Sequence, residues 1–148
     1  MSKLIILAIL LFPSSGTLRQ AKVVKLDWTT LQNIEFQDQY VEEIKDYMKF
    51  PKFSWELKNL GGTIVEIEGY TIPFDKSGQK IALSANPFAA CYFCGKAGPA
   101  SVVTVKLKAR NTRYHVDDYK TVRGKLRLNS DEIHEFYSIL EEAEDVTP

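Results

Sequence analysis

The chain has 148 residues, 45% of them hydrophobic and 26% charged, with 19 basic and 19 acidic side chains. That length suits one domain with a sizeable core and leaves no room for two. Charge balance excludes a global field that would draw the protein to nucleic acid or an anionic membrane, so binding must be local.

At the N-terminus, Lys3 precedes an apolar run from Leu4 to Phe12, and Pro13, Ser14, Ser15 and Gly16 follow. Charged, apolar and small-residue stretches in this order predict a secretory signal over residues 1–16, cut after Gly16. The apolar run is about half the roughly 20 residues a membrane-spanning helix needs. The expectation is therefore an exported chain, periplasmic or extracellular, with no integral membrane segment after cleavage. No cysteine lies near the cut, which excludes lipid attachment there. Residues 17–26 read as a flexible N-terminus and 27–144 as a single domain.

Between Asp38 and Met48, the residues Tyr40, Val41, Ile44, Tyr47 and Met48 recur at spacings of three and four, predicting an amphipathic helix capped by Asp38. Pro51 ends it. A second helical turn is predicted from Ser54, its N-cap, to Leu60, with Gly61-Gly62 as the left-handed exit. The period then changes to two. Val65 and Ile67 alternate with Glu66 and Glu68, and after Gly69 the apolar parity moves to Tyr70, Ile72 and Phe74. A one-residue shift at glycine predicts a β-bulge in a long bent strand.

Residues 75–78 supply turn chemistry and 80–85 a returning strand. Residues 86–100, with two prolines and two glycines, form a loop around the cysteines. Val103 to Ala109 and Val122 to Leu128 then alternate with Lys and Arg residues, giving two further strands with one basic face each. The closing segment is ambiguous. Ile133, Phe136, Tyr137 and Leu140 fit a helical stripe, yet a short strand also suits the aromatic run.

The segments KNLGGTIVEIEGYTIPFD, CYFCGKAGPASVVTVKL and VRGKLRLNSDEIHEFYSILEEAE together resemble an exported bacterial family known as domain of unknown function 3299. The similarity spans about residues 27–143, and the Cys-containing version looks like that of Bacteroidetes-type relatives. It implies a mainly β (α+β) fold, a small five-stranded OB-like barrel preceded by an N-terminal helical segment, in which residues 134–141 form the closing strand. Four other strands, the first of them bent, agree with a barrel too small for a two-sheet sandwich. The family's apparent neighbourhood implies an envelope protein partner, perhaps a transporter component, or transition-metal handling; it implies no activity.

Cys91 and Cys94 are the only cysteines. In an oxidising compartment they form a disulfide, hold a metal, or do redox work. Zinc needs three or four thiolate, imidazole or carboxylate ligands in tetrahedral array; Cys91 and Cys94 with His115 and Asp117 would supply such a set, and His134 and Asp118 are further donors. Thiol-disulfide exchange, the alternative function, requires the first cysteine at a helix N-terminus, and no helical pattern follows here. His115-Val116-Asp117-Asp118 otherwise reads as a solvated loop. Lys106, Lys108, Arg110, Arg123, Lys125 and Arg127 lack interleaved aromatics for stacking bases, and Glu66 and Glu68 are placed to pair with them, so no nucleic acid is expected. Trp28, Phe50, Phe53, Trp55, Tyr70, Phe88, Tyr92 and Phe93 serve either the core or a ligand pocket near Pro87 to Phe93. Nucleophile elbow, phosphate loop, HExxH and calcium-loop motifs are absent from the sequence, which points to a binding domain in preference to an enzyme.

Overall fold

In the computed structural model, residues 22–111 and 113–148 are described; the signal segment 1–16 and the first part of the expected flexible N-terminus, 17–21, lie outside them. Alternating apolar residues build a barrel from β4 (Ile64–Pro73), β5 (Lys80–Ser84), β6 (Val102–Leu107), β7 (Tyr119–Leu128) and β8 (Ser138–Asp145). Its order is β4-β5-β6-β8-β7, and β7 pairs back onto β4 to close it. Every junction is antiparallel except β6–β8. Counted within the barrel, this is first-second-third-fifth-fourth, the Greek-key order of an OB barrel.

The interior takes one side of each strand: Val65 and Ile67, Ile81 and Leu83, Val103 and Val105, Val122 and Leu126, and Leu140 with Ala143. Leu31 of α1 (Trp28–Leu31) and Leu57 of α2 (Trp55–Leu60) enter the same core and are fully buried. Asp27 caps α1 by accepting from the Thr30 amide at 2.6 Å. Ser54 caps α2 as expected, accepting from the Leu57 amide at 3.3 Å, and Gly62 takes the left-handed exit with φ +82°. The predicted flexibility of 17–26 does not extend to its end. There β1 (Val24–Lys25) runs parallel to β4, and Leu26 is buried. Among the described residues, no helix is long and apolar enough to cross a membrane.

Residues 38–48 are not a helix. They belong to a hairpin of β2 (Ile34–Val41) and β3 (Asp46–Phe53), turning through 42–45 with Lys45 at φ 52°. Spacings of three and four arise because the turn folds Tyr47 back onto Tyr40, and their rings meet edge-on with centroids 5.5 Å apart. A helix this short is marginal by itself, whereas aromatic and β-branched residues gain from cross-strand pairing. Lys49–Asp38 and Lys52–Glu35, both at 3.3 Å, add opposite-charge pairs across the strands. Pro51, unable to donate, sits where an outer strand tolerates it.

The bulge also falls elsewhere. β4 pairs continuously with β7 from Ile64 to Tyr70 and then with β5 from Tyr70 to Pro73, so its inward parity never changes. Ile72 breaks the pattern because the outer face there is covered too, by Cys91 and Phe136. The extra residue is in β8. Arg123 faces Glu144 and Lys125 faces Glu141, so Gly124 opposes both Glu142 and Ala143, and Glu142 takes φ 49°. Gly69 has a different task, close approach of β4 to β5. A Cβ there would meet the Ser84 carbonyl oxygen at 2.7 Å and Leu83 Cγ at 3.0 Å.

Gly69→Ala should therefore cost about 1–3 kcal/mol, the usual range for overpacking. Urea unfolding should show a lowered midpoint with an unchanged slope. An unaltered midpoint would mean that the β4–β5 contact yields freely and does not shape the barrel.

Candidate functional site

Residues 129–137, joining β7 to β8, are organised by one buried amide. Asn129 Nδ2 donates to the carbonyls of Glu132 (2.8 Å), Glu135 (3.2 Å) and Phe136 (3.2 Å), and its Oδ1 accepts from the Glu132 amide at 2.9 Å. The Asn129 amide donates to Tyr137 O at 2.8 Å, closing the loop at its base. Buried polar groups must be satisfied internally, and here that demand dictates the loop's path.

The loop so held presents three side chains in sequence. Glu135 accepts from Lys106 at 3.0 Å and Lys80 at 3.4 Å, which fastens the loop to the outer face of β5 and β6. Phe136 packs on Cys91, Ile72 and Ala82. Its ring meets Tyr92 and Phe93 edge-on, with centroids 5.9 and 5.7 Å away. The Tyr137 hydroxyl donates to Lys49 O at 2.6 Å, and its ring lies 5.3 Å from Phe36, docking the β2–β3 hairpin. Burial first, and then Tyr92, push the Tyr137 hydroxyl pKa up, so it remains a donor.

Between these parts lies a cleft of about 370 Å³, within the range of roughly 300–1,000 Å³ common for ligand pockets. Its floor is Lys80 and Thr104 on β5 and β6. One wall is Tyr92, Phe93 and Pro99, the other is the 129–137 loop, and Phe74 with residues 48–51 of the hairpin forms the rim. Phe74, Tyr92 and Phe93 expose 50%, 37% and 45% of their surface, too much for core residues.

Cys91 and Cys94 are both free thiols in different surroundings. Cys91 is fully buried in the outer apolar cluster, whereas Cys94, at the end of a single 3-10 turn (Tyr92–Cys94), is exposed and donates to Phe88 O at 2.9 Å. His115 is exposed, and its backbone carbonyl accepts from Thr71 Oγ1 at 2.7 Å. Asp117, at φ 68°, accepts from the Phe88 amide at 2.7 Å and so pins the start of the cysteine loop. Asp117 thus meets that loop with its carboxylate on the loop's backbone. Among the described residues, no group of three or more His, Cys, Asp or Glu is placed to hold a metal ion, so Cys91, Cys94, His115 and Asp117 are not gathered into a zinc site. His134 lies instead against Glu43 of the hairpin turn at 3.2 Å. On the basic strand faces, Arg123 pairs with Glu66 at 2.6 Å, Arg127 with Glu141 at 2.9 Å and Lys106 with Glu135 at 3.0 Å.

Of the aromatics singled out in the sequence, Phe50, Tyr92 and Phe93 line the cleft and Phe53 joins the core. Trp28 donates to Glu68 O at 2.7 Å, and Trp55 is 80% exposed. Sequence reasoning missed Asn129, Glu135, Phe136 and Phe74 as site residues. The available signal was the Asn-Ser-Asp-Glu run at 129–132, whose side chains bond readily to nearby backbone.

Fold and site together define a small OB-like barrel with an aromatic cleft built over its second and third strands. Among solved structures the chain resembles a DUF3299 family protein from Pseudomonas aeruginosa PAO1, with a TM-score of 0.50 and 11% identity over 86% of this chain and 97% of that one. The likeness is one of fold. No protein-family model and no curated protein matches the chain.

Burial alone would raise the Glu135 pKa, but Lys106 and Lys80 outweigh it and hold the carboxyl below the ordinary glutamate range. A folded-state pKa below the unfolded one stabilises fully above the unfolded value, and this contribution is lost as pH falls through the folded one. Glu135→Gln should thus lose about 0.2–1 kcal/mol at neutral pH, and its stability should fall less steeply in acid. Urea titrations across the acid range test this; parallel acid limbs in parent and variant would contradict it.

Proposed function

We propose that this chain is an exported, non-enzymatic binding domain, and that the aromatic cleft is its working surface for an apolar side chain of a protein partner in the cell envelope. The observation that carries the reading is the Tyr92, Phe93 and Phe136 cluster. Tyr92 and Phe93, left this exposed while held edge-to-face against Phe136 of a hydrogen-bonded loop, are costly to leave in water, and they suit a preorganised anchor pocket. Lys80 on the floor, with the exposed side chains of Ser130 and Asp131 on the loop, supplies the polar contacts that orient an occupant. The barrel alone would license none of this, since OB-type folds serve many functions.

Metal handling draws support from the two thiols alone, without the further donors that zinc requires. Exchange catalysis is not favoured either. It wants an attacking thiol at a helix N-terminus, whereas Cys91 is buried and Cys94 ends a 3-10 turn.

Short peptides carrying a central aromatic or proline residue, titrated into the labelled chain, should shift the NMR signals of Tyr92, Phe93, Phe136 and Tyr137. Phe93→Ala and Phe136→Ala should each weaken binding about tenfold or more, as truncation of a central anchor does. Shifts confined to the outer strand of the hairpin, or none with any peptide, would defeat the proposal.

A further inference from the structure

Cys91 and Cys94 enclose the two residues, Tyr92 and Phe93, that form one wall of the cleft. The pair is asymmetric: the first sulfur lies fully buried beneath Phe136 beside Ile72 and Ala82, and the second is exposed. Joining them takes Cys94 Sγ from the Phe88 carbonyl, to which it donates at 2.9 Å, and sets it against a sulfur enclosed by the apolar cluster. One sulfur has to change surroundings, and the chain that must move with it is Tyr92-Phe93. Those rings meet Phe136 edge-on, and Phe136 is the same side chain that covers Cys91.

We infer that Cys91 and Cys94 are a reversible dithiol switch for the cleft, closed to a disulfide by exchange with an external disulfide and reopened by thiols. This rests on the cleft being a binding site and adds its regulation.

In the forward direction Cys94, the accessible sulfur, attacks as thiolate on one sulfur of the external disulfide. A mixed disulfide forms and the first external thiolate leaves. Cys91, drawn out from under Phe136, then attacks Cys94 Sγ as thiolate, and the second external thiolate leaves. The two cysteine protons pass to the departing thiolates through solvent. The pair is oxidised by two electrons and the external disulfide is reduced to two thiols.

Extraction of Cys91 removes one of the three residues on which Phe136 packs and draws Tyr92 and Phe93 away from its ring, so the cleft loses its preformed shape. The oxidised chain should bind an apolar ligand about tenfold more weakly, within the range usual for coupled sites. By linkage, an occupied cleft should disfavour oxidation by the same factor.

The test uses the full chain with oxidised glutathione as oxidant and 1-anilinonaphthalene-8-sulfonate as probe, with Phe93→Ala confirming that the dye occupies the cleft. Mass spectrometry should show loss of two hydrogens without an adduct, and dye affinity should fall about tenfold and recover on reduction. Cys94→Ser, which leaves the buried thiol in place, should bind dye like the reduced parent and ignore the oxidant. A stable glutathione adduct at Cys94 with no internal disulfide overturns the inference, and so does an internal disulfide that leaves dye affinity unchanged or an oxidant response retained in Cys94→Ser. Failure of the reduced chain to bind dye sinks the cleft reading and this inference together, whereas bound dye indifferent to oxidation sinks only the switch.

Discussion

The satisfaction of one buried amide, that of Asn129, is the constraint on which the cleft depends. Asn129 is 2% exposed, and its side chain bonds five backbone groups between Asp131 and Phe136. Unmade, such bonds cost about 1–3 kcal/mol for each stranded buried group. The loop consequently has one economical path over the barrel. That path places Glu135 on its lysines, Phe136 over Cys91 and Tyr137 against the hairpin. Three otherwise separate pieces, the barrel, the cysteine loop and the β2–β3 hairpin, meet through these consecutive side chains.

The barrel supplies the platform by burying both faces of its second and third strands. Ile81, Leu83, Val103 and Val105 point inward, while Ala82, Ser84 and Thr104 are buried outside beneath the loops. Close strand contacts are needed for a barrel this small. Glycines meet that need at Gly69 and at Gly124, where a Cβ would lie 3.1 Å from atoms of Leu140, Glu141 and Ala143. Opposite Gly124, the bulge at Glu142 lets β8 pair with β6 on one side and β7 on the other.

Much of this was legible from residues alone. Strict alternation in β6 and β7 marked those strands, and Ser54 with Gly61-Gly62 marked α2. Resemblance, and not periodicity, identified a closing strand, but placed it over 134–141; it runs over Ser138–Asp145, because residues 134–137 belong to the loop that Asn129 holds. The hairpin was misread because a four-residue turn imitates helical spacing, although Ile34, Phe36 and Tyr40 already alternate with Glu35, Gln37 and Gln39. The apparent parity change at Gly69 reflected burial of both faces of β4, information that lies in segments twenty and sixty residues away. The cleft was half visible: Tyr92 and Phe93 stood out, but Phe136 is brought to them by Asn129, and no local pattern announces a long-range ring contact.

The central claim is that a prebuilt loop, and not the barrel surface alone, makes the binding site. Amide hydrogen exchange of Asn129→Ala, read beside its affinity for a cleft-binding peptide, tests it most directly. The account predicts barrel amides protected as in the parent, amides of 131–137 exchanging about tenfold faster or more, and peptide binding lost. Unchanged protection of that loop, or full peptide affinity despite its loosening, would contradict it.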